Sequence, residues 1–265
     1  MFIIVKHVDI LYKPVGNGIT SPLYGSIDNE MYIIKTINGP EGNIVLVNEF
    51  VCYHIAKLLN LPIPDIELAL IDETTNINAE VWDTEDFSEK CFGLAFCSKY
   101  VKNASPLEIS LFSITEDLRI LISNLVLFDH FICNKDRNKG NLLTTNKSIC
   151  VIDHSHAFDI GSLWNSVELR RRMTEENCFS SDIMDKNFYY YEDFKDLGLL
   201  DMIYLNQAKD NLKEKITEKN LREIIDKIPK EWESDIEKLN SLFDYLKFRL
   251  ENIDAFVSVI LSHLY

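Results

Sequence analysis

One stretch of about forty residues limits what this chain can become. Leu118, Leu121, Leu125, Phe128 and Ile132 recur at helical spacing and predict a helix with one buried side. Ahead of them, Ser113-Ile114-Thr115-Glu116 matches a capping box, in which hydroxyl and carboxylate satisfy backbone donors at a helix start. The helix runs into the polar segment Asp136-Arg137-Asn138-Lys139-Gly140-Asn141. A short apolar strand, Ile149-Cys150-Val151-Ile152, then delivers Asp153. Gly140 permits the sharp turn that would bring the side chains of Asp136 and Asn141 to one side.

Those residue types at that spacing suit phosphoryl transfer. Asp136 and Asn141 stand five apart, as in the D-x-x-x-x-N loop of kinases. Asp136 is the candidate catalytic residue, a base or orienting group for a hydroxyl. Asn141 and Asp153 offer a neutral and an anionic oxygen, which suit a hard Mg²⁺ ion. Arg137 and Lys139 can offset transition-state charge, though an arginine beside an aspartate is as often a structural partner. A polar turn between helix and strand is the plainer reading of the loop, and Asp153 is what weighs against it. His154 and His156 flank Ser155 directly afterwards. They lack further ligands for zinc, and the expectation is that they orient the loop.

The first hundred residues have strand character with one helix inserted. Met31 to Ile37 is β-rich, and Asn17-Gly18 and Asp28-Asn29 mark turns around the preceding segment. Ile44 to about Leu59 reads as a helix stopped by Asn60 and Leu61-Pro62-Ile63-Pro64. Glu67–Ile71 and Cys91–Cys97 are further strand candidates, and the acidic run from Asp72 to Lys90 reads as a surface loop or hairpin. Lys35 is out of place in an apolar strand unless it has a partner. Glu49 follows fourteen residues later on the helix, as in the lysine–glutamate pair that holds ATP phosphates in a kinase small lobe. The alternative is an edge-strand lysine facing solvent. Before that strand, Val15-Gly16-Asn17-Gly18-Ile19-Thr20-Ser21-Pro22 can cover phosphates with backbone N–H groups and the hydroxyls of Thr20 and Ser21. It lacks the third glycine of G-x-G-x-x-G. Strand position puts the adenine contact at Phe96, Ser98 and Tyr100.

From about residue 106 the chain turns helical, with amphipathic helices from about Asp201 onward. The fold class expected is α+β, a two-lobed kinase-like arrangement with a β-rich lobe over 1–100 and a helical lobe over 101–265. A net charge of -15 argues against direct nucleic-acid binding, where cations must neutralise phosphates. No apolar run is long enough for a membrane span, the N-terminus lacks a basic leader, and the chain is read as cytoplasmic. Six cysteines without a C-x-x-C pair read as small buried hydrophobes in a reducing compartment. Tyr189-Tyr190-Tyr191 reads as core before docking stripe, and Arg170-Arg171-Arg172 as a solvated helix face before an anion site.

Together these residues resemble the HipA-like serine/threonine kinases, in particular the short stand-alone HipA-like kinase-domain proteins of bacteria. Asn134 to Leu143 with Val151-Ile152-Asp153-His154 carries the resemblance. Gly18 to Pro22, Tyr32 to Lys35, Asn48-Glu49 with Leu61 to Pro64, and Ile228-Pro229-Lys230-Glu231-Trp232 followed by Arg249 extend it over nearly the whole chain. Lipid kinases share a D-R-x-x-x-N loop, so the motif alone does not choose between the two. The resemblance implies a kinase using ATP and Mg²⁺ on a protein hydroxyl. It carries ATP-phosphate binding to Lys35, catalysis to Asp136 and metal binding to Asn141 and Asp153. A regulatory autophosphorylation site would fall on Thr20 or Ser21. Some relatives are toxins that modify an aminoacyl-tRNA synthetase and are restrained by a DNA-binding antitoxin, which implies a translation-related substrate and a small antitoxin partner. The chain is too short for the extra N-terminal subdomain of full-length HipA toxins. Two other functions compete: a small-molecule or lipid kinase, and a nucleotide-sensing module acting through partner contacts.

Overall fold

The computed structural model describes residues 5–16, 18–145, 148–158, 164–174 and 182–264. The chain falls into two compact units. One comprises residues 1–50, 64–102 and 228–234, the other 51–63, 103–227 and 235–265. The first is a seven-stranded sheet and the second is mostly helical, the α+β organisation that the sequence predicts.

In the first unit, β1 (Lys6–His7), β2 (Ile10–Pro14), β3 (Leu23–Ile27) and β4 (Glu30–Lys35) precede α1 (Ile44–Leu58), a helix of which residues 44–50 belong to this unit and 51–58 to the second. Then come β5 (Ile66–Ile71), β6 (Asn76–Ile77), α2 (Ala79–Trp82) and β7 (Gly93–Lys99). The sheet order is β1-β5-β7-β4-β3-β2-β6, and β4 pairs antiparallel with both β3 and β7. Asp28 and Asn29, at φ 52° and 64°, make the tight β3–β4 turn that the sequence marks. Asn60 (φ 56°) follows α1, where a left-handed residue is favoured beyond a helix end.

One face of the sheet carries Leu11, Ile34, Ala69, Ala95 and Cys97 into a core. The run from Asp72 to Lys90, expected as a surface loop or hairpin, covers that core instead. It contains β6 and α2 and buries Val81 and Phe87, while Glu80 and Asp83 stay exposed. A few apolar residues decide its position because burying them outweighs the acidic composition, whose charges all find water.

β4 stops at Lys35, opposite Phe96, so β7 outruns it. There the side chains of a distant segment replace a strand. Leu94 N–H donates to Glu231 Oε1 at 2.9 Å, and Trp232 Nε1–H donates to Leu94 O at 2.6 Å. Trp232 packs edge-on against Phe50, with ring centroids 6.0 Å apart. Neighbouring Gly93 has φ 139°, and a Cβ there would lie 2.2 Å from Glu231 Oε1, so only glycine fits.

The second unit holds β8 (Ser105–Pro106), α3 (Glu116–Phe131), β9 (Leu142–Thr145) and β10 (Ser148–Val151), with the three strands in one small antiparallel sheet. Next are α4 (Ser166–Thr174), α5 (Asp182–Lys186), α6 (Phe188–Asp196), α7 (Met202–Lys215), α8 (Glu218–Asp226), α9 (Ile236–Glu251) and α10 (Ile253–Leu264). The cap of α3 falls two residues later than the capping box predicts. Thr115, not Ser113, accepts from Leu118 N–H, and the apolar residue there cannot return the bond. Cys52, Cys91, Cys97, Cys133 and Cys150 are buried thiols, and burial pushes Cys150 up to about 11. Cys178 lies outside the described residues. Among the described residues no helix is long and apolar enough to cross a membrane.

Replacing Trp232 by Phe keeps the ring and removes the N–H that satisfies Leu94. Urea unfolding should show a loss of about 1–3 kcal/mol, the cost of a buried carbonyl left without a donor.

Candidate active site

The first unit contributes a buried ion pair. Lys35 ends β4 and Glu49 lies on α1, with Nζ 2.5 Å from Oε1 and both residues buried. The solvent-facing alternative for Lys35 does not hold. Such a pair adds little net stability, because two charges leave water to form it. It does fix an ammonium group in place. Phe96 stands opposite Lys35 and Ser98 opposite Ile33, so both share the Lys35 face of the sheet. Phe96 is buried and Tyr100 packs edge-on against Tyr24.

The glycine-rich turn between β2 and β3 is closed by Val15 N–H donating to Pro22 O at 2.9 Å. Gly16 and Gly18 take φ of 83° and 109°, and Ser21 takes 46°. Ser21 Oγ donates to the Asp86 carboxylate, and Thr20 is half-buried. Asn17 lies outside the described residues.

The second unit holds the polar loop, built outward from the end of α3. Arg249, on α9, is buried and donates to the carbonyls of Phe131 (2.7 Å) and His130, the last two residues of α3. A cation at a helix C-terminus satisfies orphan carbonyls and complements the dipole. Immediately before them in the chain, Asp129 points into the protein interior. Its Oδ1 accepts from Asn134 Nδ2 (2.9 Å) and Arg137 Nη2 (2.7 Å), and its Oδ2 from Arg137 Nε (3.0 Å) and Tyr191 OH (3.0 Å). Asp129 and Arg137 are both fully buried. Burial works against the Arg137 charge, but Asp129 outweighs it and holds the guanidinium above its ordinary value. Burial, with Asp129 adding, likewise raises the Tyr191 phenol well above its ordinary value.

Arg137 also spends Nη1 on two main-chain carbonyls, Asn141 O at 2.9 Å and Ile152 O at 3.2 Å. One guanidinium thereby ties both ends of the polar loop to the residue before Asp153. Asn187, just ahead of α6, clamps the same loop from outside, accepting from Arg137 N–H (2.8 Å) and donating to Asn134 O (2.9 Å).

With that frame fixed, Asn141 Nδ2 donates to Asp136 Oδ2 at 2.9 Å and to Asp136 O at 2.6 Å. The Asn141 amide oxygen is thus turned away from Asp136. Asn138 Nδ2 donates to Asp136 Oδ1 at 2.7 Å. Ile152 N–H donates to Asn141 O at 3.1 Å, placing Asp153 beside the loop. Asp153 has φ 56°, a left-handed conformation that aspartate tolerates, and its Oδ1 accepts from both Ser155 N (3.2 Å) and Ser155 Oγ (2.7 Å). An amide oxygen and a carboxylate fit Mg²⁺, which keeps waters and takes substrate phosphates in its other positions. His154 is buried, edge-on to Phe128 at 5.6 Å. Among the described residues no group of three or more His, Cys, Asp or Glu could hold a metal.

Lys139 leans over Tyr189, its Nζ 4.6 Å from the ring centroid. Tyr190 and Tyr191 are core, and Tyr190 OH donates to Leu107 O and Leu142 O, each at 3.3 Å. Arg170, Arg171 and Arg172 pair with Glu237 and Glu168. Asp129, Asn187 and Tyr191 escaped the sequence reading as parts of this site. A lone carboxylate inside the apolar run Leu125 to Phe131 was the available signal, since a buried charge demands a partner.

Arg137→Ala leaves Asp129 buried without its cation and should cost about 3–5 kcal/mol in unfolding experiments. A second expectation concerns pH. Burial pushes the His130 imidazole down to about 4 from 6.5. As pH falls through that window the unfolded chain binds a proton that the folded chain refuses. Stability is therefore full above about 6.5 and declines below it, by about 2 kcal/mol between pH 7 and pH 5. His130→Gln should flatten that part of the stability–pH curve.

Over residues 8–258 the sequence matches the family model of the HipA-like kinases. No curated protein matches it. The fold is similar to the crystal structure of a Helicobacter pylori proinflammatory kinase, CtkA, with a TM-score of 0.62 at 14% identity over 97% of this chain and 96% of that one. HipA of Shewanella oneidensis MR-1, solved with HipB and operator DNA, is similar with a TM-score of 0.46 at 12% identity over 94% of this chain and 67% of that one. The family match takes in Lys35 and Glu49 as well as the polar loop and Asp153, and by it the chain belongs to the HipA-like kinase family.

Proposed function

We propose that this kinase transfers the γ-phosphoryl group of Mg-ATP to a Ser or Thr hydroxyl of a protein. The observation that carries the reading is the joint presence of a buried Lys35–Glu49 pair and an Asp136–Asn141 contact tied by Arg137 to the Asp153 strand. Bound Mg-ATP supplies the phosphoryl group and the metal charge that steadies it.

Lys35, held by Glu49, binds the α- and β-phosphates, and Gly18, Thr20 and Ser21 cover them. Phe96, Ser98 and Tyr100 receive the adenine. Asn141 and Asp153 hold the metal through oxygen. Asp136 accepts a hydrogen bond from the acceptor hydroxyl, orients its oxygen toward the γ-phosphorus and takes its proton as the new O–P bond forms, while the bond from that phosphorus to the β,γ-bridging oxygen breaks and ADP leaves. Arg137 positions these groups, because its guanidinium is wholly engaged in Asp129 and main-chain carbonyls. His154 supports the metal loop from behind. Within the same proposal Thr20 or Ser21 receives autophosphorylation, and on Ser21 the new phosphate would meet the Asp86 carboxylate and break that contact. A small antitoxin partner belongs to the proposal through the family alone.

Incubation with labelled ATP and Mg²⁺ should place label on the chain or on a protein partner, and chelation should remove it. Asp136→Ala should lower transfer by about 10²–10⁴-fold, and Lys35→Ala should raise the KM for ATP. Undiminished label in Asp136→Ala would overturn the assignment of the base. Turnover of a metabolite or lipid panel without protein label would move the acceptor to small molecules.

A further inference from the structure

α6 is joined rigidly to the catalytic loop, since Asn187 at its start bonds both Arg137 N–H and Asn134 O. Its buried side is Tyr190, Tyr191 and Phe194. Its other side presents two aromatic rings to water, Phe188 (60% exposed) and Tyr189 (40%). One turn on, it presents the exposed carboxylates of Glu192 and Asp193, then Asp196. The 3-10 turn Ile109–Leu111 packs against α6 and leaves Leu111 exposed. Phe188, Tyr189 and Leu111 together put three exposed apolar side chains on one part of the surface, beside the polar loop.

The chain already shows what this face attracts. Lys139, three residues after Asp136, lays its ammonium over the Tyr189 ring. Tyr189 first, with Glu108 and Asp193 adding, holds that ammonium above its ordinary value. An aromatic face rimmed by carboxylates favours cations flanked by apolar groups.

We infer that the exposed face of α6 docks the protein substrate, and that it selects an apolar side chain together with Lys or Arg beside the acceptor hydroxyl. The inference deepens the proposed function and rests on it. Charge complementarity names the occupant: Glu192, Asp193 and Asp196 on the face and Glu108 nearby outnumber Lys195, which donates to His263 O, and Lys139, which lies over Tyr189, so a basic segment is favoured over an acidic one.

The test is binding of the full chain to immobilised Ser/Thr peptides bearing basic–apolar, neutral or acidic flanks, read without turnover. Basic–apolar peptides should bind at least about tenfold tighter than their acidic counterparts, and the gap should narrow at higher salt. Phe188→Ala should weaken binding of all apolar-flanked peptides, and Glu192→Lys with Asp193→Lys should invert the charge preference. Equal binding of basic and acidic peptides, or a preference unchanged in the double variant, overturns the inference. So does self-association of the chain that Phe188→Ala abolishes, which would assign the face to a second copy. Labelled-ATP transfer is read separately. Peptide selectivity without any transfer indicts the kinase reading, and transfer without selectivity indicts the docking face.

Discussion

The buried charge of Arg137 organises the polar loop of the second unit. Arg137 is the residue whose neutralisation the interior cannot forgo, and every group it touches matters for the proposed chemistry. Asp129 meets it with both oxygens from the end of α3, and Asn141 and Ile152 lend carbonyls. A buried pair of this kind is a poor source of net stability, because desolvation consumes most of the attraction. What it supplies is uniqueness. With four guanidinium hydrogen bonds to Asp129, Asn141 and Ile152, Arg137 holds the loop in the arrangement that Asp136, Asn141 and Asp153 share.

The first unit solves a related problem with fewer parts. Lys35 and Glu49 sit on a strand and a helix whose apolar sides are packed into the interior, and the two side chains meet as a buried ion pair. The glycine-rich turn is different. Its backbone relies on left-handed residues and on the reach of Ser21 to Asp86, an exposed contact that solvent competes for. Under the proposed function, a fixed cation and an adjustable cover would suit nucleotide entry and exit.

The features legible in the sequence are those that depend on near neighbours. The spacing of Asp136 and Asn141 survives in any fold that keeps the loop intact, and the β3–β4 turn is written in Asp28-Asn29. The Lys35–Glu49 pairing was legible because its strand and its helix are consecutive in the chain, joined by the short segment 36–43. The parts that were not legible depend on residues fifty or more positions away. Nothing near Asp129 announces that Tyr191 will donate to it, and nothing near Arg137 announces Asn187. The run from Asp72 to Lys90 misled for another reason. Its composition is acidic, but position is decided by Val81 and Phe87, two residues whose burial does not show in an average.

The completion of β7 by Glu231 and Trp232 bears on how the chain is made. These residues lie 137 and 138 positions beyond Leu94, which they satisfy. On a ribosome, strands β1 to β7 emerge long before that segment does. The sheet therefore waits with Leu94 open on one side while α3 and the polar loop after it are still being synthesised. The lysine-bearing unit closes only after the helical unit is largely built. A chain made in that order completes its seven-stranded sheet late, with only α9 and α10 still to follow.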